Sequence, residues 1–360
     1  MFASVVIPTH NRKGGLLRTL SALEQQTYPA DQFEVLVVDD GSQDGTYRLA
    51  ARFFTFSFAL IRQANAGATV ARNHGARRSR GEILVFLDDD IALLPGALEN
   101  LLLTIAPLQH GMVMGTLLPA LPENAPRFAR IAAIEGWGAG SHPETRRALP
   151  RSGSAAHQDG GGGKVVPSTG APSRQAPSLE RVAFTECKTG LLAVRRDEFM
   201  ELGLFQDPTG GWPNWDDIDF GVRAYQAGYD FYRCPQAAGS HYDASLSSLK
   251  DYCLRSERAS YSAVRLFERY PDLIHYLPMF KDKRPISLRD PLPLTARKAI
   301  RTLSAWGPVL RGMELLARGL ERQSAPNDLL LPLYRWINSS YLYRGYRRSL
   351  NERARILEGA

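Results

Sequence analysis

The first 120 residues alternate short apolar runs with longer amphipathic ones. Residues 4–7 are strand-like, Leu16, Leu17, Leu20 and Leu23 recur at helical spacing, and the run "EVLVVDD" (34–40) returns to strand character. The rhythm then repeats: a helix predicted over 44–54 precedes a strand at 58–61, and a helix over about 68–78 precedes the strand "ILVFL" at 83–87. Strands and helices alternating at this length predict right-handed βαβ units around a mainly parallel sheet. Ligands of such sheets sit beyond the carboxyl ends of the strands. Three polar clusters fall there, "PTHNR" (8–12), "DDGSQDGT" (39–46) and "DDD" (88–90).

Later segments change character. Residues 150–178 are rich in Gly, Ser, Pro and Gln with few large apolar side chains, which predicts a flexible loop. The "GGGG" within it (160–163) lacks the Lys-Ser/Thr that a phosphate loop requires. A strand at 191–194 then leads into a short helix, a Gly-Trp-rich turn and a helix beginning near Asp216. The last hundred residues read as helices broken by prolines. One of them places Val309, Leu310, Met313, Leu316, Ala317 and Leu320 at helical spacing.

Composition narrows the class. With 360 residues, 44% of them hydrophobic, the chain can bury a large core. Its three cysteines are widely spaced, with no CxxC pair and no zinc spacing, which suits a reducing cytoplasm. The opening residues lack the pattern of a secretory leader, and no apolar run approaches the roughly 18 residues of a spanning helix, so the expectation is a soluble or membrane-surface protein. The net charge of +7 is uneven: residues 281–360 hold 16 Lys+Arg against 7 Asp+Glu, a net +9 that leaves the first 280 residues at −2. No zinc finger, RNP-like motif or recognition helix accompanies this basic tail, so nucleic acid is not the expected partner. Peripheral contact of 281–360 with anionic lipid at the inner face of a membrane fits its Tyr, Trp and Arg content, as do packing on the rest of the chain and a dimer contact.

Three adjacent carboxylates at the mouth of a buried strand raise one another's pKa unless a cation offsets them. Hard oxygen ligands suit Mg²⁺ or Mn²⁺; a solvated acidic turn is the plainer alternative. Asp39 ends a second strand, where it can accept a hydrogen bond from a base edge or ribose, or simply cap an Asx turn. "NAGATVARNHGA" adds a helix entrance suited to phosphate, with Arg72 on that helix. Asp216 and Asp217 fall in the first turn of their predicted helix, as caps or as catalytic acids.

Five ordered segments carry a family resemblance: "VVIPTHNR", "VLVVDDGSQDGT", "NAGATVARNHGARRSRGEILVFLDDDIALLPGAL", "KTGLLAVRRDEFMELGLF" and "WDDIDFGVRAYQAGY". From residue 2 to about 242, apart from 150–178, the chain resembles the family-2 inverting glycosyltransferases. The resemblance implies an α/β fold of GT-A type, a mostly parallel nucleotide-binding sheet flanked by helices with a helical C-terminal extension. It implies a catalytic domain over 1–245, with a nucleotide-sugar half at 1–120, an acceptor half at 180–245 and the flexible loop at 150–178. A basic helical region occupies 246–360.

The implied activity is transfer of a sugar from a nucleotide-diphosphate donor, most often a UDP-sugar, to a hydroxyl of a saccharide or lipid-linked acceptor. Pro8, Thr9, Asn11, Asp39, Arg72, Asp88 and Asp89 are the expected nucleotide-sugar contacts. Asp88, Asp90 and His241 are the expected ligands of Mg²⁺ or Mn²⁺, and Asp217 the general base. Trp212, Trp215 and Asp216 are expected to meet the acceptor; Asp216 departs from the family's usual Glu. A nucleotidyltransferase of related fold would need a Gly-rich basic loop after the first strand, which "PTHNR" does not supply. A non-catalytic nucleotide-sugar-binding protein would tolerate loss of Asp90 or Asp217, and both are present.

Overall fold

The computed structural model describes residues 1–135, 177–208, 215–280 and 282–358. The expected flexible loop and the "GGGG" therefore lie outside the described residues, apart from 177 and 178, and so does Trp212. In chain order the first half runs β1 (Ala3–Thr9), α1 (Lys13–Glu24), β2 (Phe33–Asp39), β3 (Ser57–Arg62), α2 (Ala68–Arg78), β4 (Ile83–Leu87), β5 (Ile91–Leu93), α3 (Ala97–Ile105), β6 (Gly111–Pro119) and α4 (Arg127–Ile134). The second half runs β7 (Glu180–Arg181), β8 (Leu191–Arg195), α5 (Arg196–Glu201), α6 (Asp216–Gln226), β9 (Asp230–His241), α7 (Leu249–Arg269), α8 (Leu273–Tyr276), α9 (Leu292–Ser304), α10 (Gly307–Arg322) and α11 (Asn327–Glu358).

The strands form one mixed sheet in the order β3-β2-β1-β4-β8-β6-β9-β5, with β7 on β9. Parallel pairing holds from β3 to β4, as the βαβ rhythm of the first 90 residues requires. Beyond β4 the sheet turns mixed, because β8 inserts antiparallel to both β4 and β6. That insertion comes from a strand more than a hundred residues downstream, beyond the reach of any local pattern. The helix expected over 44–54 is reduced to a 3₁₀ segment, Thr46–Ala51. Gly45 sits at φ 83°, and the Asp44 carboxylate is engaged by Thr46 and by the backbone of Lys13, so the chain turns tightly here instead of starting a helix.

Strand alternation divides the core between two faces of the sheet. Val5, Ile7, Val85 and Leu87 pack toward α1 and α3, whereas Val6, Leu84 and Phe86 pack toward Phe199 of α5 and Phe220 of α6. The second cluster also includes Val264 and Phe267 of α7 and Tyr346 of α11, so the C-terminal helices share the core of the sheet. At Gly345 a Cβ would stand 2.1 Å from the Glu257 carbonyl oxygen, so α11 and α7 touch backbone to backbone there. A third cluster joins Phe128 of α4 to Leu310, Tyr334 and Ile337.

Candidate active site

The polar clusters meet where the parallel strands end. β1 and β2 pair in register to Thr9↔Asp39. Asp39, wholly buried, accepts from the Ser42 backbone N–H (2.8 Å) through Oδ1, while its Oδ2 has no hydrogen-bond partner and lies 3.7 Å from Arg62 Nε. An orphaned buried carboxylate oxygen calls for a donor from outside the chain. Asn11 adopts φ 53°, tolerable for Asn, and its side-chain oxygen accepts from the Gln43 backbone (2.7 Å), tying the β1 and β2 loops together. Pro8 and Thr9 are buried strand residues at this edge.

Of the three acids after β4, Asp88 pairs with Arg72, while Asp89 and Asp90 share Arg12. Asp88 Oδ1 meets Arg72 Nη2 at 2.7 Å. Asp89 turns back into the protein, accepting from the Thr9 hydroxyl (2.7 Å) and from Arg12 (3.3 Å). Burial pushes its carboxyl up to about 6 against the pull of Thr9 and Arg12. The nucleotide contact expected of Asp89 is therefore corrected to a brace between β4 and β1, and the Thr9 hydroxyl is likewise spent on that brace.

Asp90 shares Arg12 with Asp89 and has His241 as a second partner. β5 runs antiparallel to β9 and pairs Ile91 with His241, which brings His241 Nε2 to 3.5 Å from Asp90 Oδ1. Arg12 Nη1 holds the other oxygen at 2.6 Å. Burial alone would raise the Asp90 carboxyl, but His241 and Arg12 outweigh it and hold the group below the usual range. For His241, burial lowers the pKa and Asp90 more than reverses this.

α6 supplies the second set of acids. Asp216 Oδ2 accepts from Thr69 (2.9 Å) and from Arg72 Nη1 (3.2 Å). Arg72, nearly buried on α2, thus bridges the end of β4 to the start of α6. Asp217, partly buried beside it, has Lys188 Nζ at 3.9 Å from its Oδ2 and accepts from the Ile218 backbone N–H through Oδ1. Burial raises its carboxyl to about 6, with Lys188 opposing and Asp216 adding. Asp219 points inward to Arg223, Arg269 and Tyr270 and is structural.

Trp215 does not reach the opening. It is buried against Phe280, and its indole N–H donates to Ala259 O (2.8 Å) and Ser262 Oγ (3.1 Å) of α7, so its acceptor role is corrected to a core anchor. Asp216 is only 7% exposed and braces Arg72, which leaves its carboxylate little surface for an acceptor. Sequence reasoning assigned no role to Arg12, Asp40, Thr69 or Lys188. Asp40 accepts from the backbone N–H groups of Ala66 and Gly67 (both 2.8 Å), holding the entrance to α2 and so aiming Arg72. Arg12 and Lys188 stand inside the motifs "PTHNR" and "KTG"; the available signal was a cation lying in sequence beside each acidic cluster's partner segment.

Fit to a divalent cation can be judged from the donors. Among the described residues no group of three or more His, Cys, Asp and Glu gathers to hold one; Asp88 pairs with Arg72, and Asp90 with His241. Asp90 with His241 offers one hard oxygen and one imidazole, two ligands of a coordination sphere. That pair suits Mg²⁺ or Mn²⁺ when a substrate diphosphate and water complete the sphere.

A sheet of this order, with its acids gathered at one rim, defines a glycosyltransferase fold of GT-A type. The whole architecture superposes on the mannosyltransferase PcManGT of Pyrobaculum calidifontis, solved with GDP-Man and Mn²⁺, at TM-score 0.57 and 20% identity over 97% of this chain and 86% of that one. Residues 4–165 match the profile of Glycosyl transferase family 2. The glycosyltransferase AglE of Haloferax volcanii is 40% identical over 119 residues, 32% of this chain and 39% of AglE. A validoxylamine A glucosyltransferase of Streptomyces hygroscopicus subsp. jinggangensis is 37% identical over 125 residues, 34% of this chain and 30% of that protein. The poly(ribitol-phosphate) β-N-acetylglucosaminyltransferase TarP of Staphylococcus aureus is 34% identical over 101 residues, 27% of this chain and 31% of TarP. The matches thus span between 30 and 39% of these three relatives' own lengths.

Proposed function

We propose that this chain transfers a sugar, with inversion, from a nucleoside-diphosphate donor to a hydroxyl of a saccharide or lipid-linked acceptor. The observation that carries this reading is the Arg72 bridge, 2.7 Å to Asp88 and 3.2 Å to Asp216, because it joins the acids of the donor side to the helix that bears Asp217. Residues 1–120 are assigned to the donor and 180–245 to the acceptor. Asp39 Oδ2 receives an N–H of the base, for which uracil is the preferred reading, and Pro8 and Asn11 border the base and ribose. Asp88 turns toward the ribose. The acceptor class agrees with TarP, whose name specifies a polymer of ribitol phosphate.

Asp90 and His241 would hold the Mg²⁺ or Mn²⁺, with Arg12 as the cation already on that carboxylate. When bound, the metal supplies Lewis-acid stabilisation of the departing diphosphate. Asp217 takes the proton from the acceptor hydroxyl on the face opposite the leaving group. Its raised pKa of about 6 suits a base that must hold a proton transiently yet be ionised near neutrality. Lys188 and the Ile218 N–H keep the carboxylate oriented.

A donor screen across UDP-, GDP- and dTDP-sugars with Mg²⁺ or Mn²⁺ tests the reading. Metal-dependent donor hydrolysis that disappears in Asp90→Ala is expected; hydrolysis unaffected by that change would overturn the assignment. Product anomeric configuration by NMR tests inversion independently.

A further inference from the structure

α9 is amphipathic with its sense reversed. Its inward face carries Lys298, Arg301 and Ser304, each no more than 5% exposed. Lys298 Nζ donates to Asp290 (2.6 Å) and to Pro285 O (3.0 Å), and Arg301 donates to Asp282 (3.1 Å) and stacks over Trp336 at 4.3 Å. Its outward face carries Leu292, Ala296, Ala299, Ile300 and Leu303, with Leu292 85% and Leu303 62% exposed. Trp306, 62% exposed, continues the patch at the junction with α10. A surface helix ordinarily does the opposite, and a contiguous apolar patch of this kind marks an interaction surface. Rotation cannot hide it, since turning α9 would pull Lys298 and Arg301 off Asp290 and Asp282.

α10 follows with Arg311, Leu315, Arg318 and Arg322 exposed at i, i+4, i+7 and i+11, along one side of the helix. The three arginines have no ion-pair partner among the described residues. We propose that the apolar face of α9 with Trp306 docks on a bilayer containing anionic lipid, the α10 arginines meeting its headgroups. Leu, Ile and Trp at an interface and arginines beside them match the acyl and phosphate levels of a membrane surface. Among the described residues no helix is long and apolar enough to cross a bilayer, so the contact lies on the surface. A second copy of this chain is the poorer occupant: a two-fold patch would bring the exposed arginines of both copies into one interface. The proposal rests on α9 and α10 alone and stands or falls apart from the rim chemistry.

The test is co-sedimentation of the full chain with phosphatidylglycerol-containing and pure phosphatidylcholine vesicles. Binding is expected on the anionic vesicles only, weakening as salt rises from about 0.05 to about 0.5 M. The pair Ile300→Asp with Leu303→Asp, and separately Arg311→Glu with Arg318→Glu, should each lower partitioning at least about tenfold with unchanged circular dichroism. Emission from wild type should shift to the blue on vesicles, and Trp306→Phe should remove most of that shift. Absence of binding, or binding untouched by both double variants, overturns the proposal. So does a dimer by light scattering that Ile300→Asp with Leu303→Asp dissolves, which would give the face to a second copy.

Discussion

The rim of the sheet and the root of α9 both bury arginine against aspartate, in opposite proportion. At the rim, Asp88, Asp89, Asp90, Asp216 and Asp217 share Arg12, Arg72 and Lys188. Acid is in excess, and two carboxyls, Asp89 and Asp217, are pushed up to about 6. At the root of α9 a single carboxylate, Asp282, takes Lys283 (2.7 Å), Arg297 (2.9 Å) and Arg301 (3.1 Å). There burial would raise the carboxyl, the three cations outweigh it, and Asp282 falls to about 2. An acid excess leaves a site with unmet demand for cations and with a group able to accept a proton; a cation excess closed on one acid leaves only a fastening. The same residue types build an acid-rich rim in one place and a rivet in the other.

Substitutions should separate the two. The largest effect is expected from Asp217→Asn, which removes the proposed base while keeping the shape: kcat should fall by about 10²–10⁴ with donor affinity little changed, as read by steady-state transfer and nucleotide titration. Asp282→Asn should instead act on stability, leaving Lys283 and Arg301 buried without their carboxylate at a cost of about 3–5 kcal/mol in urea unfolding, with kcat per folded molecule retained. A catalytic loss from Asp282→Asn, or a mainly thermodynamic loss from Asp217→Asn, would erase the contrast.

Arg72→Lys sharpens it. A lysine cannot span Asp88 and Asp216 with a planar fork, so one of them loses its partner, and a stability loss of about 1–3 kcal/mol is expected together with reduced kcat. The smallest effect concerns pH. As the proposed base, Asp217 is needed ionised, so kcat/KM should fall as pH drops through about 6, where its carboxyl takes up a proton. Lys188 favours the ionised form, so Lys188→Gln should move that midpoint upward by about half a unit to one unit, because Lys188 is partly exposed and screened. A midpoint that stays put would remove Lys188 from the site.

How much of this the sequence disclosed depends on distance along the chain. The four parallel strands and the acids at their ends were legible because side-chain alternation and turn residues are local. The start of α6 at Asp216 was legible from its acidic first turn and the apolar spacing behind it. The Arg72 bridge was not, since its two carboxylates lie 16 and 144 residues away and only the insertion of β8 beside β4 brings α6 to the rim. Trp215 looked available because a tryptophan in a Gly-rich turn gives no sign of which way its ring points; α7, more than thirty residues on, supplies the groups that bury it. In the C-terminal helices periodicity marks two faces without saying which turns inward. Leu310 and Ala317 of α10 are buried as expected, yet Leu316, in the same run, is 54% exposed, and α9 turns its charges in because Asp282 and Asp290 wait there.

The central claim is that acid excess at the rim serves a cation-bound nucleoside diphosphate beside Asp217. Isothermal titration of UDP and GDP into the full chain, with and without Mn²⁺, tests it most directly. The account predicts that Mn²⁺ tightens binding of one of them at least about tenfold and that Asp90→Ala abolishes the gain while Asp217→Asn preserves it. Binding that is indifferent to Mn²⁺, or a Mn²⁺ effect that survives Asp90→Ala, would contradict it.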